Sequence, residues 1–554
     1  MATKKNKLKV FSLGGLQEIG KNITVFEYGQ DIIVVDCGIA FPEDDMLGID
    51  LVIPDFTYLI ENKKRVKAII LTHGHEDHIG SVPYLLRDID CPIYATKLTL
   101  GLLDIKLKEH RLGNRETVCV EAGQIKKIGN FAVEFIAVTH SVADAVALCI
   151  KSPTSTVIHT GDFKIDHTPV SGQHIDLQRL AILGAEGVDL LLADSTNAGV
   201  PGFTMSERTV GETYEQIFSQ RTKNRILVAS FSSNIHRIQQ VINSAAKHKR
   251  KVAVVGRSMV NAVRVAQELK YLTVPKRVII EASEINNYPD NQICIISTGS
   301  QGEPMSALSR MASSAHRQVA IRPGDVVVIS ASCIPGNEKG VSRVVDELFK
   351  KGADVVYEDL MHVHVSGHAK REELKLIHAL IKPKYFFPVH GEYRHLKMHR
   401  DLAVEMGMDK KNVFMMAIGE VLEIDAKGAK QTGTVPSGAL FVDGLGVGDV
   451  GNVVLRDRRL LSQDGLIVVV VTYDADTGEL AGPDFVSRGF VYMRDSEELI
   501  DGARAIVRKS FTKCEMENNY NISYIKNAIK DELKDYVWQK TKRNPMILPY
   551  IVEI

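Results

Sequence analysis

Four potential metal ligands, His73, His75, Asp77 and His78, fall within six residues of the run Leu71-Thr72-His73-Gly74-His75-Glu76-Asp77-His78-Ile79-Gly80. All are imidazole or carboxylate. A structural zinc usually recruits cysteines and closes its coordination shell, whereas nitrogen and oxygen ligands suit a hydrolytic centre with a position open for water. His73 and His75 are two apart, so an extended loop turns both to one side, and Asp77 with His78 can serve a second ion. Such a centre needs further ligands, among them a bridging carboxylate. Two ions about 3.5–4 Å apart can hold an activated water and clamp a phosphoryl oxygen. His140 in Val138-Thr139-His140-Ser141, Asp162 in Gly161-Asp162-Phe163 and His390 in Pro388-Val389-His390-Gly391 are the candidates. Each alone could equally be a capped strand end or a satisfied core histidine, and the His-rich run alone a solvated loop.

The elements that must position these groups are short apolar runs, each stopping at a polar residue. Residues 66–71 read as a buried strand that delivers the His-rich loop. Further strands are expected over 8–13, 23–27, 32–35, 132–138 and 156–159, with a helix over 81–87. Asp36 ends the 32–35 run before Cys37-Gly38. A carboxylate there can accept hydrogen bonds from the metal loop and hold its shape; a plain turn aspartate is the alternative. Asp194 follows Leu190-Leu191-Leu192-Ala193 in the same way. Strands that deliver polar ends, with helices between, predict an α/β layered fold.

Over residues 204–357 the texture changes to strands such as 226–231 and 251–255 alternating with amphipathic segments, one of them 233–246. This is a doubly wound pattern. Tyr385-Phe386-Phe387-Pro388-Val389-His390 then returns to the earlier style, so the middle reads as an insertion. The expected division is 1–203, 204–357, 358–446 and 447–554. The last segment reads as α+β: strand-rich over 453–471, two helices over 496–541 and a strand over 546–554.

Composition bounds the function without choosing it. The 554 residues predict two to four domains, and 68 basic against 68 acidic residues leave a formal net charge of zero. Any polyanion site must therefore be local, a groove or a metal centre, and a small-molecule enzyme stays open. The seven cysteines are scattered without a C-x-x-C, as reduced thiols in a cytosolic protein would be. The basic start lacks an apolar core with a cleavage site, and no stretch approaches the ~20 apolar residues of a membrane span. A cytoplasmic protein is expected.

Asp36, the His73 to His78 block, His140 and Asp162 resemble the successive motifs of the metallo-β-lactamase superfamily. Asp194, His368 and His390 resemble the additional motifs of its nucleic-acid-processing β-CASP branch. Gly14-Gly15-Leu16-Gln17-Glu18-Ile19-Gly20-Lys21-Asn22, Thr298-Gly299-Ser300-Gln301-Gly302-Glu303-Pro304 and Lys540-Thr541-Lys542-Arg543 resemble bacterial ribonuclease J, and the likeness covers nearly the whole chain. It implies an αββα sandwich with an inserted doubly wound β-CASP domain and a small α+β C-terminal domain. It implies one zinc on His73, His75 and His140 and a second on Asp77, His78 and His390, with Asp162 bridging. Some family members have lost part of the His block and are poorly active; here the block is intact.

The resemblance also implies roles. Asp77 is needed for catalysis as a ligand of the second ion. Asp194 and His368 form the acid side, where a carboxylate beside an imidazole raises its pKa and fixes its tautomer. The imidazolium could stabilise or protonate the departing 3′ oxygen. A cap for Asp194 and a core role for His368 are the alternatives. Phe231-Ser232-Ser233-Asn234-Ile235-His236-Arg237 places hydroxyls and an amide where a strand gives way to a helix, whose start presents N–H groups to an anion, and His364-Val365-Ser366-Gly367-His368 offers a Ser-Gly turn. These two segments resemble a pocket for a nucleotide phosphate, although simple capping by Ser233 would look the same. Gly48, Asp50 and Asp443 could combine carboxylates with carbonyls as calcium prefers, or be ordinary turn residues.

The implied activity is 5′→3′ degradation of single-stranded RNA from a monophosphorylated end, with internal cuts, in RNA maturation, including that of rRNA, and in mRNA decay. The implied assembly is a dimer or tetramer, with other RNA-decay proteins as partners. An RNA-binding scaffold subunit and a metallo-hydrolase of small esters are the competing readings.

Overall fold

Runs of β-branched residues that are apolar on both faces need a cover on each side, and this chain supplies it with a second sheet and with helices. The computed structural model describes residues 7–170, 174–301, 306–333, 337–358, 360–473, 480–491, 496–516 and 521–553. Met1 to Asn6, Gly302 to Pro304 of one quoted motif, and Ile554 lie outside the described residues. The chain divides into two compact units, Met1–Phe41 with Leu51–Leu440 and Pro42–Asp50 with Phe441–Ile554.

In the first unit an eight-stranded sheet runs in the order Gly428–Thr434, Glu420–Asp425, Leu8–Gly14, Ile23–Tyr28, Asp31–Val35, Val66–Ile70, Ile93–Ala95, Thr117–Cys119. It is antiparallel as far as Asp31–Val35 and parallel from there. A six-stranded sheet runs Tyr385–Val389, Leu190–Asp194, Thr156–His159, Val146–Lys151, Phe131–Ala137, Ile125–Ile128. The two share one core: Val10, Phe26, Ile33, Val35 and Ile70 of the first meet Phe135, Leu148, Ile150, Leu192 and Phe387 of the second. Successive residues point to opposite faces. Ile136, Ala147, Cys149, Ile158, Leu191 and Phe386 therefore pack outward, on Leu180, Leu183, Leu374, Ile377 and Leu402 of helices Leu177–Glu186, Arg371–Ile381 and Tyr393–Glu405.

A third sheet is parallel throughout: Ile279–Ile280, Lys251–Val255, Ile293–Ser297, Ile226–Ala229, Val326–Ile329, Asp354–Val356. Parallel neighbours need crossovers, and helices such as Ile235–Lys247, Arg257–Glu268 and Glu338–Lys350 provide them. The whole sheet is inserted between two adjacent parallel strands of the six-stranded sheet, paired from Leu190↔Tyr385 to Asp194↔Val389. The chain thus leaves at Asp194 and returns so that His390 follows the neighbouring strand end. Parallel ends place ligand-bearing turns at one edge.

In the second unit, strands Leu480–Arg488, Leu466–Tyr473 and Met546–Glu553 pack Ile467, Val469 and Val471 against Val507, Phe511, Ile529 and Leu533 of helices Glu497–Met516 and Ile522–Thr541. Two sequence expectations are corrected. Residues 453–464 are not strand but belong to helix Asn452–Asp464. The valines that suggested a strand pack on no core: Val453 is 60% exposed, and the helix is set by Arg458 and Arg459, whose guanidinium groups pair with Asp443 and Asp45. The expected 81–87 helix is only Val82–Leu85. Among the described residues, no helix is long and apolar enough to cross a membrane.

Candidate metal centre

The His-rich loop leaves strand Val66–Ile70 and is gripped by the turn after the neighbouring strand Asp31–Val35. Asp36 holds a left-handed backbone, φ 60°, that aims its carboxylate at the loop. Its Oδ1 accepts from the Thr72 backbone N–H at 2.8 Å, and its Oδ2 accepts from Thr72 Oγ1 and His78 Nδ1, each at 2.8 Å. Donating Nδ1–H leaves His78 Nε2 with its lone pair turned to the centre. Gly38 lets the loop close: a Cβ there would stand 1.6 Å from the Asp77 carbonyl oxygen. Asn22 Nδ2 donates to the Asp77 carbonyl at 3.1 Å and to its Oδ2 at 3.3 Å.

Two donor clusters gather the seven predicted ligands. His73 Nε2 and His140 Nε2 lie 3.0 and 3.1 Å from His75 Nδ1. Asp77 Oδ2 lies 3.3 Å from His390 Nε2 and 3.6 Å from His78 Nε2. One atom, Asp162 Oδ2, reaches both: it is 3.6 and 3.8 Å from His73 and His140, and 3.2 and 3.4 Å from His78 and His390. In each cluster of four the donor atoms lie within 4.8 Å of one another. Lone pairs converging this closely need a proton or a cation among them, and the nitrogen and carboxylate donor set fits a metal ion in each cluster.

In the first cluster the charge states agree with that fit. Burial, aided by neighbouring imidazoles, pushes His75 down to about 4 and holds His73 and His140 well below the usual histidine range. These three are neutral, as metal ligands must be. In the other cluster burial opposes the charged imidazoles, yet the Asp162 and Asp77 carboxylates win, raising His390 to about 9 and His78 well above its ordinary value. A cation binding there displaces protons that hold the same carboxylates.

Beside the second cluster, His368 Nδ1 donates to Asp194 Oδ2 at 2.7 Å, and this carboxylate outweighs burial to raise the His368 pKa. Asp194 Oδ1 also accepts from the Thr196 N–H at 2.9 Å, and Thr196 Oγ1 lies 2.7 Å from His390 Nδ1. Gly367 O accepts from His140 Nδ1 at 2.8 Å, so the turn carrying His368 is tied to a member of the first cluster.

The structure brings the two segments read as a phosphate pocket to one place. Asn234, not Ser233, caps helix Ile235–Lys247: its Oδ1 accepts from the Arg237 N–H at 3.0 Å. The reason is that Asn234 immediately precedes the first helical residue, leaving Ser233 half-buried one position outside. Arg237 Nη1 donates to His364 Nδ1 at 2.9 Å, and its Nη2 lies 3.5 Å from Val365 O. Ser366 Oγ accepts from Asn197 Nδ2 at 2.9 Å and from the His368 N–H at 3.1 Å. Sequence reasoning assigned no role to Asn22, Thr72, Thr196 or Arg237. Asn22 lies in the quoted Gly14 to Asn22 motif and Arg237 in the quoted Phe231 to Arg237 run, and neither run shows the partner its residue meets.

The Gly48, Asp50 and Asp443 group lies within the second unit. Asp50 Oδ2 accepts from the Gly444 N–H at 2.8 Å. Asp443 is paired with Arg458, which also donates to Leu47 O at 2.9 Å. A guanidinium therefore already neutralises this carboxylate.

Two face-to-face sheets, a bipartite histidine and aspartate cluster at their strand ends and a doubly wound insertion define a metallo-β-lactamase-type hydrolase of the β-CASP kind. The comparisons carry this further. Residues 17–172 match the Metallo-beta-lactamase superfamily, 223–348 the Ribonuclease J beta-CASP domain, 353–416 the Zn-dependent metallo-hydrolase RNA specificity domain and 453–554 the Ribonuclease J C-terminal domain. The chain is 46% identical to Ribonuclease J 1 of Streptococcus pyogenes, covering 100% of this chain and 99% of that protein. It is 45% identical to Ribonuclease J2 of Bacillus subtilis over the full length of both, and 41% identical to Ribonuclease J of Helicobacter pylori, covering 98% of this chain and 79% of that one. The fold resembles a solved protein of unknown function from Enterococcus faecalis with a TM-score of 0.54 at 17% identity, covering 76% of this chain and 100% of that one. The chain belongs to the ribonuclease J family.

Proposed function

We propose that this chain is a zinc-dependent ribonuclease that degrades single-stranded RNA 5′→3′ from a monophosphorylated end and also cuts internally. The observation that carries the reading is the single carboxylate oxygen of Asp162 shared by two histidine clusters, with the His368–Asp194 pair alongside. His73, His75 and His140 would hold one zinc, and Asp77, His78 and His390 the other. When bound, two such ions supply Lewis acidity to the scissile phosphate and a deprotonated water at neutral pH.

The chain's own groups do the rest. Asp36 and Asn22 hold Asp77 and His78 in place. Asp194 takes the Nδ1–H of His368, which leaves Nε2–H to pass a proton to the departing 3′ oxygen. Ser233, Ser366 and Gly367 offer hydroxyl and backbone donors to a 5′ phosphate, with His364, Val365 and Asn234 setting the shape of that pocket. The product carries a new 5′ phosphate, which suits repeated end-directed cleavage. RNA maturation and mRNA decay in the cytoplasm are the processes such an activity serves, with a dimer or tetramer and other decay proteins as its setting.

The test is digestion of 5′-monophosphate, 5′-triphosphate and circular RNA with and without chelator, for the parent and for Asp77→Ala. Chelation and Asp77→Ala should each lower all cleavage by roughly a hundredfold or more while the fold persists. RNA binding intact but cleavage never present would favour a scaffold, and ester hydrolysis without RNA binding a small-molecule enzyme. RNA degradation that survives chelation overturns the proposal.

A further inference from the structure

Arg237, on the first turn of helix Ile235–Lys247, is fully buried. A buried guanidinium is costly unless every donor finds a partner. Its Nε and Nη2 donate to the two Glu207 carboxylate oxygens at 2.8 and 3.0 Å, a bidentate pair. Its Nη1 donates to Ser330 O at 2.8 Å and to His364 Nδ1 at 2.9 Å. Guanidinium accepts nothing. His364 Nδ1 must therefore carry a lone pair, and the ring proton sits on Nε2. Ser332 Oγ accepts that proton at 3.1 Å, and Ser332 O accepts from Gln301 Nε2 at 2.8 Å.

The other side of the network is anchored too. The Glu207 N–H donates to Asp166 Oδ2 at 3.1 Å, and Gln240 Nε2 donates to Glu207 O at 3.2 Å. The Arg237 N–H closes the cap on Asn234. The Arg237–Glu207 pair therefore joins the helix start at 233–237, the turn at 364–368 and the Asp162-bearing turn that continues to Asp166.

We propose that Arg237 is a positioning residue for the 5′-phosphate pocket: it fixes His364 in the neutral Nε2–H tautomer and sets the spacing between the Ser233 helix start and the His364 to Gly367 turn. This rests on the reading of those two segments as the phosphate site. Burial and the Arg237 charge hold the His364 pKa well below its ordinary value, consistent with a neutral ring. Lysine would keep the charge but lose the fork that engages Glu207 and His364 together.

The experiment compares the full-length parent with Arg237→Lys on 5′-monophosphate and 5′-hydroxyl RNA, with ring-nitrogen NMR of the histidine-labelled chain. His364→Gln identifies the His364 signals. Arg237→Lys should raise KM for 5′-monophosphate RNA about tenfold, equivalent to about 1.4 kcal/mol of lost phosphate binding, with kcat and the 5′-hydroxyl reaction changed by roughly twofold or less. The His364 signals should move from one neutral tautomer to a mixture. If Arg237→Lys fails to fold, Ser332→Ala loosens the same ring from its other nitrogen and should shift KM and tautomer in the same direction. Unchanged phosphate preference and an unchanged tautomer overturn the inference. A parent that does not prefer the 5′ phosphate overturns the pocket reading itself and the positioning role with it.

Discussion

Replacing Asp36 with asparagine leaves the shape of the centre and inverts one hydrogen bond. The carboxylate accepts from the Thr72 N–H at Oδ1 and from Thr72 Oγ1 and His78 Nδ1 at Oδ2. In Asp36→Asn the amide oxygen can keep the first contact, and the Thr72 hydroxyl can rotate to accept. His78 cannot adapt so cheaply. Facing an N–H donor, its Nδ1 must give up its proton, which moves to Nε2, the nitrogen 3.2 Å from Asp162 Oδ2. A protonated Nε2 cannot coordinate a metal. Placing the amide oxygen at the other position instead leaves the buried Thr72 N–H unpaired, at about 1–3 kcal/mol. Either way the expected loss is about 10–100-fold in affinity at the Asp77, His78 and His390 position, about 1.4–2.7 kcal/mol. His73, His75 and His140 make no direct contact with Asp36, and Thr72 Oγ1, 3.0 Å from His73 Nδ1, can still accept from that nitrogen, so the first equivalent should hold. The assay is zinc titration against a chromophoric chelator, with RNA cleavage followed as free zinc is raised. The second equivalent should weaken alone, and activity should return at high zinc. Two equivalents that both bind as in the parent, or weaken together, refute the tautomer argument.

Gly38→Ala should be far worse than an average glycine substitution, because its Cβ would meet the Asp77 backbone at 1.6 and 1.9 Å. A loss of about 3 kcal/mol by denaturant midpoint, with the second zinc equivalent lost, is expected; a stable chain that binds both refutes the close approach. His378 and His399 form a buried pair at 3.1 Å, and burial lowers His378 to about 4. Its folded pKa lies below the unfolded value near 6.5, so the unfolded state binds more protons between them. Its stabilisation, up to about 3 kcal/mol, is complete above about pH 6.5 and is lost as pH falls toward 4. Melting of His378→Gln should depend less on pH in that window than the parent does, and equal slopes would remove His378 as a cause. At the Gly48, Asp50 and Asp443 group, Arg458 competes with calcium, so Arg458→Ala should raise calcium affinity about tenfold in calorimetry; no calcium heat in either chain removes that site.

The candidate ligands could be read because each stands on the segment that follows a short apolar run. Such a run is a buried strand, and a sheet delivers its strand ends to a common edge. Asp162 and His390 follow the strands Thr156–His159 and Tyr385–Val389, and Asp194 ends Leu190–Asp194, the parallel strand between them. The inserted sheet was visible in texture alone, since doubly wound segments alternate differently from the strands around them. What sequence could not supply was every interaction whose partners are close only in space. Nothing local tells that Glu207, Arg237 and His364 share one guanidinium, or that Asn22 reaches Asp77. Helix Asn452–Asp464 failed for the same reason. Its valines look like a strand, while the arginines that anchor it answer to Asp45 and Asp443, both outside the helix. The division follows the physics of each kind of group. A ligand on the segment that leaves a buried strand carries a local signature. A group that orients a ligand needs only a hydrogen-bond partner, and any residue type the fold brings near can provide it. The residues whose loss should change metal affinity or end preference without touching the reacting atoms, Asp36, Asn22 and Arg237, are therefore the ones for which the three-dimensional arrangement adds most to the sequence.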